Sequence, residues 1–154
     1  MENKYADIFI NAWHTVLESF STKQITLAEI HSSKNPVDNR DILVFMGIIG
    51  AVSGQVAISM DVNTGKILAS EMLGGMEVTD ADELVTSAVG EICNMIMGNA
   101  CLHISSAETG VDITPPTVIC NETAPQILIS PSYKISLHLE DLDEIDFNVE
   151  IATA

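Results

Sequence analysis

Basic residues are scarce in this sequence. Lysine and arginine together number 6, against 22 aspartate and glutamate residues, so the formal net charge at pH 7 is −16. A chain with this charge repels the phosphate backbone of nucleic acids and the anionic surface of membranes. We therefore expect a protein partner, and neither nucleic acid nor a membrane.

Long apolar runs are missing as well. No stretch of the chain approaches the roughly 18 apolar residues that cross a bilayer. The first residues, MENKYADIFINAW, lack a basic segment followed by a long apolar one, which is the pattern of a secretion signal. The sequence thus predicts a cytoplasmic protein.

Metal-binding and disulfide patterns are also lacking. The three cysteines, Cys93, Cys101 and Cys120, are odd in number and form no CxxC spacing. This pattern favours reduced thiols in the core over a disulfide or zinc framework. The four histidines show neither HxH nor HExxH spacing, so we expect no metal site.

Three segments have the apolar spacing of helices. With 154 residues, the chain fits a single domain over residues 1–154. Apolar residues recur at helical intervals from Tyr5 to about Phe20, and a short helix is predicted from about Thr64 to Leu73. A long helix follows Thr79 and Asp80, either of which can cap it, and continues at least to Ala100.

The remaining apolar runs predict strands. They are QITLAEIHS from Gln24, DILVFMGIIG from Asp41, SGQVAISMD from Ser53 and, after Pro115 and Pro116, TVIC, QILIS, YKISLHLE and EIDFNVEIAT. The two prolines forbid helix at this point. The fold predicted is of the α+β class, an antiparallel sheet packed with the long helix and further helices.

The long helix carries a polar stripe. Its apolar residues cover one broad face: Leu84, Val85, Ala88, Val89, Ile92, Met95 and Ile96. At about 100° per residue, Ser87, Glu91, Asn94 and Gly98 form a stripe about 60° wide on another side. Glu91 and Asn94 are three residues apart, so both can act on one target. Gly98 costs the helix roughly 1 kcal/mol relative to alanine, and Gly90 a similar amount. Either another backbone approaches this stripe, or its polar residues are merely solvated and the glycines allow tight helix packing.

The spacing Ser87-x-x-x-Glu91-x-x-Asn94-x-x-x-Gly98-Asn99 resembles the signature of the CheC/CheX/FliY phosphatases of bacterial chemotaxis. The resemblance covers most of the chain: a leading helix, a GxxxGxVAIS hairpin, an AxxMLG-type helix, the signature helix and ITPPTVI. CheC-like members carry the signature on two pseudo-symmetric helices, whereas the first helix here, FINAWHTVLESF, has no Glu-x-x-Asn. The chain is therefore similar to the CheX branch, and this resemblance implies a homodimer.

The resemblance also implies an activity. The family hydrolyses the aspartyl phosphate of CheY-type response-regulator receiver domains, where a magnesium ion and a lysine lie beside the phosphate. Glu91 would pair with that lysine, and Asn94 would hold a water in line with the breaking bond. Ser87 and Gly98 would contact the partner. The chain would need no cofactor of its own, since Mg²⁺ belongs to the receiver domain.

Two alternatives remain open at the level of sequence. The protein could be a binding module that recognises receiver domains or other signalling proteins without useful turnover. It could also be a dimeric structural protein in which the polar stripe is only a packing face. The intact pair of Glu91 and Asn94 favours the enzyme over the binding module, whereas the structural protein predicts that substituting the stripe changes stability.

Overall fold

Seven strands form one antiparallel sheet in the computed structural model, which describes residues 2–33, 41–50, 52–78, 83–104, 110–120, 132–140, 142 and 144–153. In chain order the strands are β1 (Ile25–Ser33), β2 (Ile42–Gly50), β3 (Val52–Met60), β4 (Val111–Ile113), β5 (Thr117–Cys120), β6 (Ser132–Leu139) and β7 (Glu144–Thr153). Their order across the sheet is β1-β6-β7-β3-β2-β4, and β5 also pairs with β2. All of these pairs are antiparallel.

Three helices lie on one face of this sheet: α1 (Glu2–Glu18), α2 (Val62–Met72) and α3 (Glu83–Ile104). α1 packs against α3, α2 packs against α3, and α3 lies over β4 and β5. In the part of the chain that the structure describes, no helix is both long and apolar enough to span a membrane. The antiparallel sheet with helices packed on it confirms the predicted fold class.

The core forms because alternate strand residues point toward the helices. The buried apolar residues of the central strands that share this face are Ile42, Val44, Met46, Ile48, Val56, Ile58, Met60, Ile145, Phe147 and Val149. α1 closes the core with two aromatic rings. The ring of Phe9 lies 4.8 Å from that of Phe147, and the indole of Trp13 meets the same ring edge-on at 6.5 Å. Such aromatic pairs add roughly 0.5–1.5 kcal/mol to the effect of burial.

The other face of the sheet is more polar. Asp146 is fully buried there, next to Ser136, whose hydroxyl donates a hydrogen bond of 3.2 Å to the Asp146 carboxylate. The Lys134 ammonium lies 3.6 Å from the second carboxylate oxygen. A buried carboxylate is tolerated in a fold when it has such partners. The more apolar face of the sheet is thus the one that the three helices cover.

The two halves of the chain occupy equivalent places in the sheet. Counted from the two edges of the sheet inward, β1 corresponds to β4, β6 to β2 and β7 to β3. α1 precedes β1 and α3 precedes β4, so the two helices are equivalent as well. α1 has an exposed asparagine, Asn11, but Ile8 stands three residues before it in place of a glutamate. Only α3 therefore carries the polar pair.

Some details differ from the sequence prediction. Leu84 was assigned to the core face of α3, but it is 40% exposed. Its position is only about 20° from that of Glu91 around the helix, because seven residues make nearly two full turns. β4 was not predicted, since it has three residues and its middle one, Asp112, is exposed. The proposed caps Thr79 and Asp80 and the QILIS run lie outside the described residues.

Gly65 lets α2 lie close to the sheet. A Cβ atom at this position would overlap the Cδ1 atom of Ile42 and would lie 3.5 Å from Val85 Cγ1 and 3.6 Å from Val89 Cγ2. The absence of a side chain at residue 65 therefore lets α2 pack between β2 and α3 with Ile42 in its present position.

Replacing Gly65 by alanine is expected to lower the free energy of unfolding by up to about 2 kcal/mol, because crowding a packed core costs about 1–3 kcal/mol and the gain in helix propensity offsets only about 1 kcal/mol. Ile42→Val removes the Cδ1 atom that the new methyl group would meet. The double variant should thus be more stable than the sum of the two single changes predicts. Urea denaturation measures all three variants. Additive effects would show that the Ile42 contact does not determine the packing of α2.

Candidate functional site

An open groove with a volume of about 560 Å³ runs between α3 and the chain that joins β4 to β5. One wall consists of α3 residues: Thr86, Ser87, Gly90, Glu91 and Asn94. The other wall consists of Ile113, Thr114, Pro115, Pro116 and Val118. Three of the four site residues predicted from the sequence thus lie in one groove.

The polar wall of the groove follows from the helical spacing of α3. Ser87 and Glu91 are exposed, and Asn94 is half-buried. Because residues three and four apart are neighbours on a helix, the three side chains share one side of α3. The carboxylate and the amide are therefore both accessible from the groove.

Gly98 continues the same stripe but does not line the groove. It lies about one helical turn beyond Asn94. Among the described residues, a Cβ atom at Gly98 would have no neighbour within 4 Å. Packing against this part of the chain therefore does not require glycine at this position.

Gly90 has a different role. It is buried, and a Cβ atom there would lie 3.2 Å from Val118 Cγ2 and 3.9 Å from Pro116 Cγ. The absent side chain thus lets the second wall contact α3 and close the bottom of the groove. For this glycine the packing explanation holds.

The second wall is held by a pair of hydrogen bonds to β2. The Gly47 amide donates to the Thr114 hydroxyl oxygen at 2.8 Å, and the Thr114 amide donates to the Gly47 carbonyl at 3.0 Å. β4 pairs with residues 48–50 of β2 and β5 pairs with residues 42–45. Pro115 and Pro116 lie between the two strands and have no amide hydrogen to donate to a ladder. Thr114 therefore secures the chain where regular pairing stops.

The two described cysteines of α3 have buried thiols. Burial raises the pKa of the Cys93 thiol to about 12. Burial, and then the negative charge of Asp112, raise the pKa of the Cys101 thiol to about 11. Both cysteines are free, so each remains a protonated thiol at neutral pH. This agrees with the prediction of reduced core thiols for these two; the side chain of Cys120 lies outside the described residues.

The polar groups of the groove suit binding and positioning. Among its lining residues in the described part of the chain there is no histidine, cysteine, lysine or arginine. The described residues also form no cluster of three or more His, Cys, Asp or Glu side chains that could hold a metal ion. What the groove offers is a carboxylate, an amide and hydroxyl groups. A carboxylate can bind a cation, and an amide can both donate to and accept from a water.

A family profile described as "Chemotaxis phosphatase CheX" matches residues 42–137, which include all of α3 and both walls of the groove. The chain belongs to the CheX family. It is 38% identical over 78 residues to the CheY-P phosphatase CheX of Thermotoga maritima, a match that covers 51% of this chain and 50% of that protein. The alignment with this relative therefore spans about half its length.

Solved structures share the complete fold. The chemotaxis protein CheX from Desulfovibrio desulfuricans matches with a TM-score of 0.83 at 24% identity, over 97% of this chain and 99% of that one. The CheX of a CheX–CheY–BeF₃–Mg²⁺ complex from Borrelia burgdorferi matches with a TM-score of 0.76 at 25% identity, over 96% and 97%. FliY from Thermotoga maritima has a TM-score of 0.69 at 22% identity, over 98% and 87%. The resemblance inferred from the signature of α3 is confirmed.

The sequence did not identify the second wall as part of the site. The ITPPTVI segment was used as a family motif and as a place where helix is impossible. Its contact with α3 depends on the pairing of β4 and β5 with β2, and neither β4 nor the Gly47 contact has a local sequence signal. The two adjacent prolines were the only local indication.

The two glycines of α3 should respond differently to alanine. Gly98→Ala is expected to raise the free energy of unfolding by about 0.5–1 kcal/mol, since the new methyl group meets nothing and the helix gains propensity. Gly90→Ala should raise the free energy of unfolding less than Gly98→Ala does, or should lower it, because its methyl group meets Val118. Thermal or urea unfolding compares the two. A loss of stability in Gly98→Ala as large as that in Gly90→Ala would mean that Gly98 is a packing residue.

Proposed function

We propose that this protein is a phosphatase that hydrolyses the aspartyl phosphate of a CheY-type response-regulator receiver domain. The observation that carries the proposal is that Glu91 and Asn94 both line one wall of an open groove, in a chain of the CheX family. The name of the Thermotoga maritima relative, a CheY-P phosphatase, supports it. The complex of a similar CheX with CheY, beryllofluoride and magnesium supports the class of partner.

Glu91 is proposed to dock the partner. It is exposed, and none of the described residues that line the groove is basic. A lysine next to the phosphate of the receiver domain would supply the missing cation. A charge-assisted hydrogen bond of this kind fixes orientation as well as adding affinity. Glu91 would thereby set the register of α3 over the aspartyl phosphate.

Asn94 is proposed to position the attacking water. Its amide can accept a hydrogen bond from the water and donate one to a phosphoryl oxygen. An acyl phosphate already hydrolyses without help, so the protein need only hold water in line with the breaking bond. Positioning of this kind can contribute factors of 10² or more. An asparagine can therefore serve although it has no useful pKa.

The remaining parts of the proposal come from the family resemblance. Ser87 and Gly98 lie at the two ends of the stripe and would contact the partner. The chain would use no cofactor of its own, and the Mg²⁺ that neutralises the phosphate would be held by the receiver domain. The magnesium in the complex from Borrelia burgdorferi is consistent with this.

We also infer a cytoplasmic homodimer. The similarity to the CheX branch supports it, and so does the strand order, because β1 lies at one edge of the described sheet. The outer backbone groups of an edge strand can pair with another chain, and symmetric dimers are the commonest soluble oligomers.

Asn94→Ala is expected to fold normally, with a change in stability of about 0.5 kcal/mol or less. It should still bind the phosphorylated receiver domain. The rate of dephosphorylation should fall by about 10², toward the spontaneous rate of the receiver, because no group would hold the water. The decay of radiolabelled phosphoryl receiver measures this rate. Asn11→Ala, at the exposed asparagine of the equivalent helix α1, is the matched control and should behave as wild type.

An Asn94→Ala protein that is folded by circular dichroism and removes phosphate as fast as wild type would exclude Asn94 as the catalytic residue. A wild-type protein that binds the phosphorylated receiver without accelerating the loss of phosphate would instead identify a binding module.

Glu91→Ala is expected to raise the KM for the phosphorylated receiver roughly 2- to 5-fold and to change kcat less, because the ion pair exists before and during the reaction. Glu83→Ala is the control: Glu83 is also exposed on α3 and lies outside the groove, so both variants lose the same charge. Added sodium chloride should weaken wild-type binding more than binding by Glu91→Ala. If Glu91→Ala and Glu83→Ala change KM equally, the net negative charge of the protein sets the affinity, and no specific ion pair with Glu91 is involved.

A further inference from the structure

The proposed contact of Glu91 is too weak to hold a protein partner alone. Glu91 is exposed to solvent, and an exposed ion pair changes an equilibrium by at most about fivefold. The protein as a whole carries a net charge of −16, which opposes the approach of a phosphorylated partner. Most of the affinity must therefore come from other surface close to Glu91.

The wall opposite Glu91 has the required properties. Ile113, Pro116 and Val118 are half-buried in the free protein, and Pro115 is exposed. Residues 113–119 carry no charge, so they do not repel a phosphoryl group. Both walls border the same groove. A partner loop that reaches Glu91 through this groove must consequently pass along the apolar wall.

This wall is rigid before any partner arrives. The two hydrogen bonds between Thr114 and Gly47, of 2.8 and 3.0 Å, hold it to β2. The close contact of Val118 with Gly90 holds it to α3. The proline rings have little conformational freedom of their own. Little conformational entropy is lost when a preformed surface binds, so its apolar area contributes to affinity efficiently.

We propose that residues 113–116, named the proline wall here, are the apolar half of the docking surface for the receiver domain. The proline wall packs against an aliphatic or aromatic side chain on the receiver loop that carries the lysine paired with Glu91. This inference rests on the proposed function, since it takes the same partner. It assigns contact to Pro115 and Pro116, and a positioning role to Thr114.

Docking on the proline wall also affects the chemistry of the groove. An apolar side chain placed against Pro115 removes bulk water from one side of the groove. The interaction between Glu91 and the lysine becomes stronger as the water around it is displaced. The water held by Asn94 is then separated from the solvent. The two walls therefore act together, one through polar contacts and the other by excluding water.

Pro115→Ser tests the contact directly. The measurement is the dissociation constant for a receiver domain of the same genome activated with beryllofluoride and Mg²⁺, determined by calorimetry. We expect it to rise roughly tenfold, as for the loss of one apolar contact from a desolvated interface. Met76→Ser is the matched control, because Met76 is an apolar residue that is 56% exposed and lies outside the groove. It should bind as tightly as wild type.

Thr114→Val tests the positioning role. Valine has nearly the shape of threonine but cannot accept the hydrogen bond from the Gly47 amide. KM for the phosphorylated receiver should rise severalfold while kcat stays unchanged, and Thr114→Ser should restore KM because it keeps the hydroxyl. A fall in kcat at constant KM would assign Thr114 to the chemistry and overturn its positioning role.

The proline wall and the proposed function can fail separately. If wild type binds the activated receiver and Pro115→Ser binds it equally well, the proline wall is not a docking surface, whatever the activity. Because binding is measured without turnover, a protein that binds but does not hydrolyse leaves the test of the proline wall valid. If Thr114→Val does not fold, as judged by urea denaturation, Pro115→Ser alone decides. Absence of any binding by wild type would overturn both proposals.

Discussion

The contact between α3 and the edge of the sheet determines both the fold and the site. α3 buries one side against α1, α2 and the sheet, and Gly90 lets Val118 and Pro116 reach its backbone on another. A larger side chain at this position would push the sheet edge away from the helix. The groove exists because the two elements touch at its bottom and diverge above. Glu91 and Asn94 are thereby placed opposite a second wall and not on a free helix surface.

The groove holds few groups that react by themselves. Its titratable side chain is an exposed carboxylate, and the two cysteines described near it are buried as neutral thiols. Such a site matches a reaction in which the substrate brings a labile bond, a metal ion and a cation. In the proposed reaction the protein would contribute geometry: register from Glu91, a held water from Asn94, and exclusion of solvent by the opposite wall. Because these are effects of position, they depend on a rigid scaffold.

Local periodicity was sufficient to predict most of the fold. The apolar spacing located all three helices, and the polar stripe of α3 brought Ser87, Glu91 and Asn94 together because one helix determines their relation. The second wall could not be predicted, since it depends on a three-residue strand and on a hydrogen bond between Thr114 and Gly47, which are 67 residues apart. The exposure of Leu84 was also missed. Leu84 lies at the border of the polar stripe, and a helical projection alone does not show whether a residue at that border is covered by neighbouring elements.

A single-turnover measurement with the unmodified protein tests the proposed phosphatase activity most directly. A Mg²⁺-loaded receiver domain from the same genome is labelled on its aspartate with radioactive phosphate, and the decay of the label is followed at increasing concentrations of this protein. If the protein is such a phosphatase, the decay rate rises with its concentration and saturates well above the spontaneous rate, as a docked complex requires. A decay rate that does not depend on the concentration of the protein, for all receivers of that genome, would contradict this activity.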